Sequence, residues 1–347
     1  MSFLFVDPLP VSAAALTSNI VETPPPEFDD QTVYDEGFKA SLTSGTAIAV
    51  YESRKDGNVG NDPELSPEQW LYLGEIYAPF VTGSYDLGDI VTDVAFGRLF
   101  KSQTGANTAS LPSVAESSEE WQYLGPTNRR AMFDYQVNAQ TAHPERIAVS
   151  IALDGRIDTL ALLNVSAGAV NIRLLKGETV LVDEDISLVN YFGIADYWDH
   201  HFKPVRRKRN LKVTGLPIVS GLTLEVTLTG ESVALGFLAV GQARVFGETE
   251  LGASLGFRTA STIEEDDFLR RTIVKRDHKK EGRFEVWTPS SYVDEVFDVI
   301  TEYDATGVLV IPIETYSSAI YFGLIRRAEI LIRHHRKSVI TFVIEDY

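Results

Sequence analysis

The sequence predicts a mainly β protein, with two small β modules followed by a β-sandwich of jelly-roll type and one short helix. Aromatic residues make up 10% of the 347 residues, and their broad rings pack well on a half-buried pleated surface. An internal repeat with a fixed offset occupies residues 34–125, which indicates two related units. From about residue 131 onward, period-two alternation and turn residues recur without alternating helices, as in a sandwich.

The first 30 residues are predicted to form an extended, proline-rich arm. Five prolines between positions 8 and 26 disfavour a regular helix and a central strand. The apolar stretch Phe3–Val6 gives this arm an end for docking on a neighbouring subunit, so Phe3 and Phe5 are candidate assembly contacts. A disordered terminus is the alternative interpretation.

The internal repeat sets the two modules at residues 31–80 and 81–130. Four residues recur at an offset of 51: Tyr34, Gly37, Trp70 and Gly74 return as Tyr85, Gly88, Trp121 and Gly125. Each copy reads as a Tyr-x-x-Gly turn, a strand ending in an aromatic residue, a loop rich in Gly, Asn and Pro, and a Trp-x-Tyr-Leu-Gly strand. This order predicts a three-stranded unit.

The aromatic residues of the repeat have two interpretations. Exposed Trp and Tyr rings stack on sugars, so a carbohydrate-binding platform is one candidate function. The alternative is that the tryptophans fill the cores, because about 40 residues supply few other large apolar side chains. The candidate sugar-binding residues are Trp70, Tyr72, Tyr85, Trp121 and Tyr123.

Residues 131–347 are predicted to form the sandwich. Alternation in 170–174 and 224–228 has period two, with one face buried. One helix is predicted near residues 291–303, because Tyr292, Val296, Val299 and Tyr303 recur at helical intervals after Ser291. The predicted strands are 146–153, 159–163, 170–175, 179–183, 223–228, 233–240, 308–313, 320–324, 328–332 and 339–344.

Charge and composition exclude several partners and chemistries. With 49 acidic and 31 basic residues, the net charge is −18, so nucleic acid and anionic membrane surfaces are disfavoured partners. The chain has no cysteine, which excludes disulfides and thiolate chemistry and suits folding in a reducing cytoplasm. The sequence predicts no signal peptide and no membrane span.

Three short motifs each have a structural and a functional interpretation. Gly252–Gly256 fits the G-x-S-x-G pattern around Ser254, but no helix is predicted after it, so no catalytic residue, cofactor or metal site is assigned and the chain is predicted not to be an enzyme. The adjacent histidine pairs lack metal-site spacing. The basic run Arg206, Arg207, Lys208 and Arg209 is either a solvated loop or a contact with an acidic neighbour such as 264–267 of another copy.

The second repeat copy resembles the small carbohydrate-binding, chitin-binding-like modules. It continues into the stretch Leu124-Gly125-Pro126-Thr127-Asn128-Arg129-Arg130-Ala131-Met132-Phe133-Asp134, a join that resembles a family of tailed-bacteriophage virion proteins associated with tail fibres or baseplates. The similarity extends from about residue 80 to the closing segment 338–346. The resemblance implies a discoidin-like or jelly-roll sandwich located in the virion tail and made in the host cytoplasm.

Two functions compete on this basis. The first is a structural component of a phage tail (baseplate, tail tip or fibre attachment) that binds other tail proteins as a homo-oligomer or ring-bound subunit. The second is a receptor-binding adhesin that recognises host surface glycans through the aromatic modules. Burial of Trp70 and Trp121 would favour the first, and their exposure side by side would favour the second.

Overall fold

The computed structural model describes residues 2–191, 194–204, 206–265, 270–276, 278–332 and 334–346. The fold over these ranges is mainly β, as the sequence predicts, with several sheets and little helix. Four compact parts follow from the strand pairing: two three-stranded modules, a two-sheet sandwich and a closed barrel.

The strands of the N-terminal segment and the modules are β1 (Ser2–Pro8), β2 (Leu16–Ser18), β3 (Lys39–Ser44), β4 (Ala47–Ser53), β5 (Trp70–Tyr77), β6 (Ile90–Asp93), β7 (Arg98–Ser102) and β8 (Trp121–Pro126). The sandwich region has β9 (Thr141–His143), β10 (Arg146–Leu153), β11 (Thr159–Ser166), β12 (Ala169–Lys176), β13 (Thr179–Ser187), β14 (Val189–Asn190), α1 (Tyr197–Phe202), β15 (Arg206–Arg207), β16 (Leu211–Thr214), β17 (Leu222–Thr229) and β18 (Val233–Thr249). The C-terminal part has β19 (Ser254–Thr259), β20 (Thr262–Glu265), β21 (Arg271–Val274), β22 (His278–Pro289), α2 (Val293–Glu302), β23 (Val308–Ile311), β24 (Tyr321–Leu331) and β25 (Lys337–Asp346).

The sandwich consists of a five-stranded sheet, β13-β12-β17-β10-β2, facing β16, β11 and the first half of β18. Along β17, alternate residues from Leu222 to Leu228 are buried, because only one face of this sheet meets the opposing sheet. The core between the sheets consists almost wholly of Leu, Ile and Val side chains. This part is a sandwich, as the alternation predicts, but the predicted range 131–347 does not form one sandwich, because β22, β23, β24, β25 and the second half of β18 close with β1 into a separate barrel.

Six antiparallel strands close into a barrel in the order β18-β1-β23-β24-β25-β22, which combines the N-terminal strand with strands from the C-terminal part of the chain. The closing contact is between β18 and β22, where Glu248 pairs with Trp287 and Thr249 pairs with Val286. Gly247 lies at this seam with a φ of 150°, and a Cβ there would collide with the carbonyl oxygen of Trp287. Closure leaves none of the six strands with a free edge along this part of the fold.

The barrel encloses an aromatic core. Phe3 stacks on Phe342 with ring centroids 4.6 Å apart, and Phe5 stacks on Phe246 at 5.0 Å. Helix α2 packs against this core through buried Val296. The helix lies inside the segment where the sequence predicts one, but Ser291 belongs to a preceding 3₁₀ turn, and no side chain caps the helix.

The predicted N-terminal arm is wrong. Strand β1 lies in the middle of the barrel wall, pairing with β18 along its whole length and with β23 at Leu4–Val6. Pro8 is the last residue of the strand, so the proline ends the strand and does not prevent it. Phe3 and Phe5 are buried inside their own chain and are not available as contacts to a neighbouring subunit.

The placement of β1 gives a stability prediction. Replacing Phe5 with Ala removes a fully buried ring from the barrel core and should lower the free energy of unfolding by about 3–5 kcal/mol. Replacing the exposed Leu87 with Ala should leave stability nearly unchanged. Urea unfolding followed by far-UV circular dichroism measures both changes, and equal midpoints for Phe5→Ala and the wild type would contradict the barrel position of β1.

Candidate functional site

The two modules share one strand order and one core. Strands β3-β4-β5 and β6-β7-β8 pair in the same way, with the same register shift in the middle strand. In the first module, the ring of Phe28 lies 5.9 Å from Trp70 at an interplanar angle of 88°. In the second, Phe80 lies 5.9 Å from Trp121 at 84°. The structural repeat therefore begins before Tyr34 and Tyr85, at Phe28 and Phe80. The spacing between these two phenylalanines is not the 51 residues that separate the other repeated positions.

A buried polar network is also repeated. Asn58 Nδ2 donates to Ser53 Oγ at 3.2 Å, and Asn107 Nδ2 donates to Ser102 Oγ at 3.1 Å. Each serine hydroxyl donates in turn to a backbone carbonyl oxygen two residues later, at 2.9 Å in both modules. These bonds hold the loop before the last strand against the middle strand, where few apolar side chains are present to do so.

Three of the five predicted sugar-binding residues are core residues. Trp70 is 2% exposed and Trp121 is fully buried, and Tyr85 is buried beside Trp121. The two indole N–H groups donate to backbone carbonyl oxygens of their own modules. The predicted platform is therefore wrong for Trp70, Trp121 and Tyr85, because their ring faces are covered by their own modules.

The other two predicted residues are more accessible, and one lines a cleft. Tyr72 is 50% exposed, and Tyr123 is half-buried. Tyr72 forms one wall of a cleft of about 630 Å³ on the first module. The cleft is lined by Ala49, Tyr51, Arg54, Pro63, Glu64, Pro67, Trp70, Leu71 and Tyr72. The rings of Tyr51 and Tyr72 are 5.3 Å apart and tilted by 50°.

The electrostatics of the cleft keep its phenols neutral. Burial raises the pKa of Tyr51, and the nearby Glu64, Tyr72 and Asp62 raise it further. Burial also raises the pKa of Tyr72, with a second contribution from Glu75. Tyrosine phenols are protonated at neutral pH even without such shifts, so both act as hydrogen-bond donors beside a carboxylate that accepts hydrogen bonds. Aromatic faces bordered by donors and acceptors suit a neutral polyhydroxylated ligand.

The second module has different residues at the corresponding positions. Phe100 pairs with Tyr123 at 5.6 Å, where Tyr51 pairs with Tyr72. Gln103 is equivalent to Arg54. The Arg54 N–H donates to the carbonyl oxygen of Gln69, just before Trp70, and the Gln103 N–H donates to that of Glu120, just before Trp121. The second module thus keeps the aromatic pair but loses one phenol and one cation.

Sequence reasoning missed Tyr51, Arg54 and Glu64 as members of the cleft. The available signal was the difference between the copies. Most of the core aromatic residues are the same in both, whereas the buried Tyr51 and the exposed Arg54 change to Phe100 and Gln103. A surface that differs between two copies of one scaffold is free to acquire its own ligand.

The remaining predicted residues lie far from this cleft in the fold. Arg206, Arg207, Lys208 and Arg209 are exposed, and the first two form β15 against β14. Glu264 and Glu265 lie in β20, but Asp266 and Asp267 of the same acidic run lie outside the described residues. Ser254 begins the exposed strand β19, with no helix following it.

A wider cavity of about 870 Å³ lies between α2 and the barrel seam. Its lining combines apolar Val245 and Phe246 with the cations Arg244 and Arg336 and the acid Glu295. Because charges of both signs are spread around an open groove, this lining favours no single class of ligand.

No known protein family, curated protein or solved structure matches the chain. Within the described ranges, no group of three or more His, Asp or Glu side chains is placed to hold a metal ion. The helices of that same part of the chain are too short to cross a membrane.

The repeated network gives a testable prediction for the modules. Replacing Asn107 with Ala leaves Ser102 Oγ and the Glu120 carbonyl oxygen without their donor and should cost about 1–3 kcal/mol. Replacing Asn58 with Ala should cost a comparable amount in the first module. Urea unfolding followed by tryptophan fluorescence measures both, with the exposed Gln31→Ala as the control. Loss of stability in only one variant would show that the two networks are not equivalent.

Proposed function

We propose that this protein is a non-catalytic structural component of a bacteriophage tail that acts through protein–protein assembly. The resemblance of residues 80–346 to tail-associated virion proteins supports the location. The observation that carries the assembly function is a long β-hairpin that extends from the barrel and has large apolar side chains on its surface.

The hairpin is a continuation of barrel strand β22. The C-terminal half of β22 pairs with β25 inside the barrel, and its N-terminal half pairs with β19. Beyond these strands, β20 pairs with β21 over four residue pairs. Residues 266–269, which join β20 to β21, lie outside the described part of the chain.

The hairpin strands β19 and β21 have no core to bury their apolar residues. Every residue of β19 and β21 is exposed, including Phe257 at 70%. Ile263 and Ile273, which face each other across β20 and β21, are also exposed. A clustered apolar surface on a projecting element is typical of a protein-binding site, and in an assembly this surface is covered by a neighbouring subunit.

The high net negative charge fits the same function. A charge of −18 keeps free subunits apart in solution through mutual repulsion. Specific contacts then have to supply enough apolar burial to overcome this repulsion. Assembly at a defined place in a particle meets this requirement better than non-specific association does.

The assembly function is tested by placing charge on the hairpin. The double variant Ile263→Lys/Ile273→Lys should fold like the wild type but enter tails at least about tenfold less well, because a charge buried without a partner costs several kcal/mol. The measurement is mass spectrometry of purified particles after complementing a phage that lacks this chain.

The control for this experiment is Leu87→Lys, which places a charge at an exposed leucine of the second module. It should be incorporated at the wild-type level. Normal incorporation of the hairpin double variant would contradict an assembly role for the hairpin.

A second function, glycan recognition as a receptor-binding adhesin, is supported by the cleft of the first module. Tyr72 offers an exposed ring beside the protonated phenol of Tyr51, and Arg54 and Glu64 add charged groups at the rim. A shallow cleft of this composition suits the edge of a sugar chain better than it suits a catalytic centre. Binding would be confined to the first module.

The matched residues of the two modules test this second function. Tyr72→Ala should weaken binding of N-acetylglucosamine oligosaccharides or host-surface glycan about fivefold to tenfold, as expected for losing one stacked ring. Tyr123→Ala, the equivalent change in the second module, should leave affinity unchanged. Isothermal titration calorimetry on the full chain measures both. Equal affinities for the wild type and Tyr72→Ala would exclude the cleft as the glycan site.

A further inference from the structure

The chain from Leu188 to Asn210, of which the structure describes 188–191, 194–204 and 206–210, forms a loop on a fixed base. Leu188 is fully buried in the sandwich core, and its carbonyl oxygen accepts a hydrogen bond from the Lys208 N–H at 2.8 Å. The carbonyl oxygen of Arg209 accepts from the Val165 N–H at 2.7 Å. The short strands β14 and β15 complete this base. The loop is therefore anchored at both ends to the same sandwich.

The helix in this loop, α1, is held by polar contacts of its own. The Asp196 carboxylate accepts from the Asp199 N–H at 2.9 Å and caps the helix. Asp199 also pairs with Lys203 at 2.8 Å, and this pairing lowers the pKa of the Asp199 carboxyl. These contacts specify a helical turn without the help of a hydrophobic core.

The aromatic residues of α1 and of the chain before it point into solvent. Trp198 is 66% exposed and Phe202 is 75% exposed, and their rings stack at 5.5 Å with an interplanar angle of 17°. Tyr191 and Tyr197 are similarly exposed. A cluster of four large aromatic residues on a capped, anchored loop is typical of the centre of a protein interface.

The charge of the loop is opposite to that of the whole chain. Residues 188–210 contain five basic and two acidic residues, in a chain of net charge −18. Four of the basic residues form the run 206–209, and all four are exposed. In the ranges that the structure describes, no carboxylate lies within ion-pair distance of this run. The loop thus combines exposed rings with unpaired positive charge.

An acidic surface of suitable composition precedes this loop directly. Strand β13 is an edge strand of the five-stranded sheet, and one of its two sides has no strand partner in that sheet. It exposes Val180 and Leu181 and carries Asp183, Glu184 and Asp185. Asp183 pairs with Arg173 of the same sheet at 3.4 Å, and Asp183 and Asp185 each accept a hydrogen bond from Asn171 Nδ2 at 2.9 Å. Edge strands with exposed apolar residues readily accept another polypeptide.

We propose that the loop 188–210 docks on strand β13 of a second copy of this chain. The loop supplies aromatic rings and cations, and β13 supplies an apolar edge and carboxylates, so the two surfaces are complementary in charge. The loop starts where β13 ends, so the two surfaces are adjacent along the chain. A two-fold axis there brings each loop onto the other copy's strand and forms the contact twice. The contact rests on the assembly function proposed above but does not use the hairpin.

The test is the oligomeric state of the full chain by sedimentation equilibrium. The wild type should form a dimer whose dissociation constant rises with salt, because the paired charges are screened. Trp198→Ala/Phe202→Ala and Arg206→Glu/Arg207→Glu should each weaken the dimer at least about tenfold. Leu87→Ala and the hairpin variant Ile263→Lys/Ile273→Lys should dimerise like the wild type.

A charge swap identifies the partner surface. The variant Glu184→Lys/Asp185→Lys, which leaves the Asp183–Arg173 pair intact, should also dimerise poorly, but an equimolar mixture with Arg206→Glu/Arg207→Glu should form a mixed dimer with affinity near that of the wild type. A monomeric wild type, or a mixture that does not associate, would overturn the proposal. The proposal would also be overturned if the loop variants self-associated like the wild type but no longer bound phosphatidylglycerol vesicles. The partner of the loop would then be a lipid surface. The assembly function is tested by incorporation of the hairpin variant into particles, and the loop contact is tested by dimerisation of the free chain. Failure of one proposal can therefore be distinguished from failure of the other.

Discussion

The fold depends on the insertion of β1 between β18 and β23. Seven residues of β1 pair with β18, and the central three also pair with β23. This strand completes the barrel wall and places Phe3 and Phe5 in its core. Its other face, with Leu4 and Val6, joins side chains from the sandwich strands β11 and β18. One short apolar strand therefore connects the barrel to the sandwich.

The modules illustrate how a small β unit is stabilised with few residues. Each has a tryptophan, a tyrosine and a phenylalanine in mutual contact, together with one buried asparagine that bonds to a serine. These groups are the same in both copies because the core has no substitute for them. Outside this shared set the copies differ: the buried Tyr51 of the first copy is Phe100 in the second, and the exposed Arg54 is Gln103.

Much of the fold was predictable from local pattern, and the errors have physical causes. The alternation in β10, β12 and β17 identifies one buried face, so these strands and the mainly β fold follow from the sequence. The prolines near β1 led to the wrong prediction of an extended arm. In sequence alone, a strand that ends at a proline cannot be distinguished from an unstructured proline-rich segment. Strands β19 and β21 were missed because both of their faces are exposed. At the candidate site, the sequence indicated Trp70 and Tyr72 but not Tyr51, Arg54 or Glu64, because the cleft is formed by residues from separate parts of the module.

The position of β1 also determines the order of events during synthesis on the ribosome. Leu4 pairs with Ile311, which is translated roughly 300 residues later, and closing so long a loop is slow. The first partner strand to be made is β18, which pairs with β1 through residues 241–248. Until it emerges, the apolar segment around Phe3 and Phe5 has no partner strand and is exposed on the nascent chain. At about 5–20 residues per second, this exposure lasts on the order of tens of seconds. The sandwich and the modules can fold during that time, whereas the barrel has to form last, and a chaperone that shields the first strand would raise the yield of native protein.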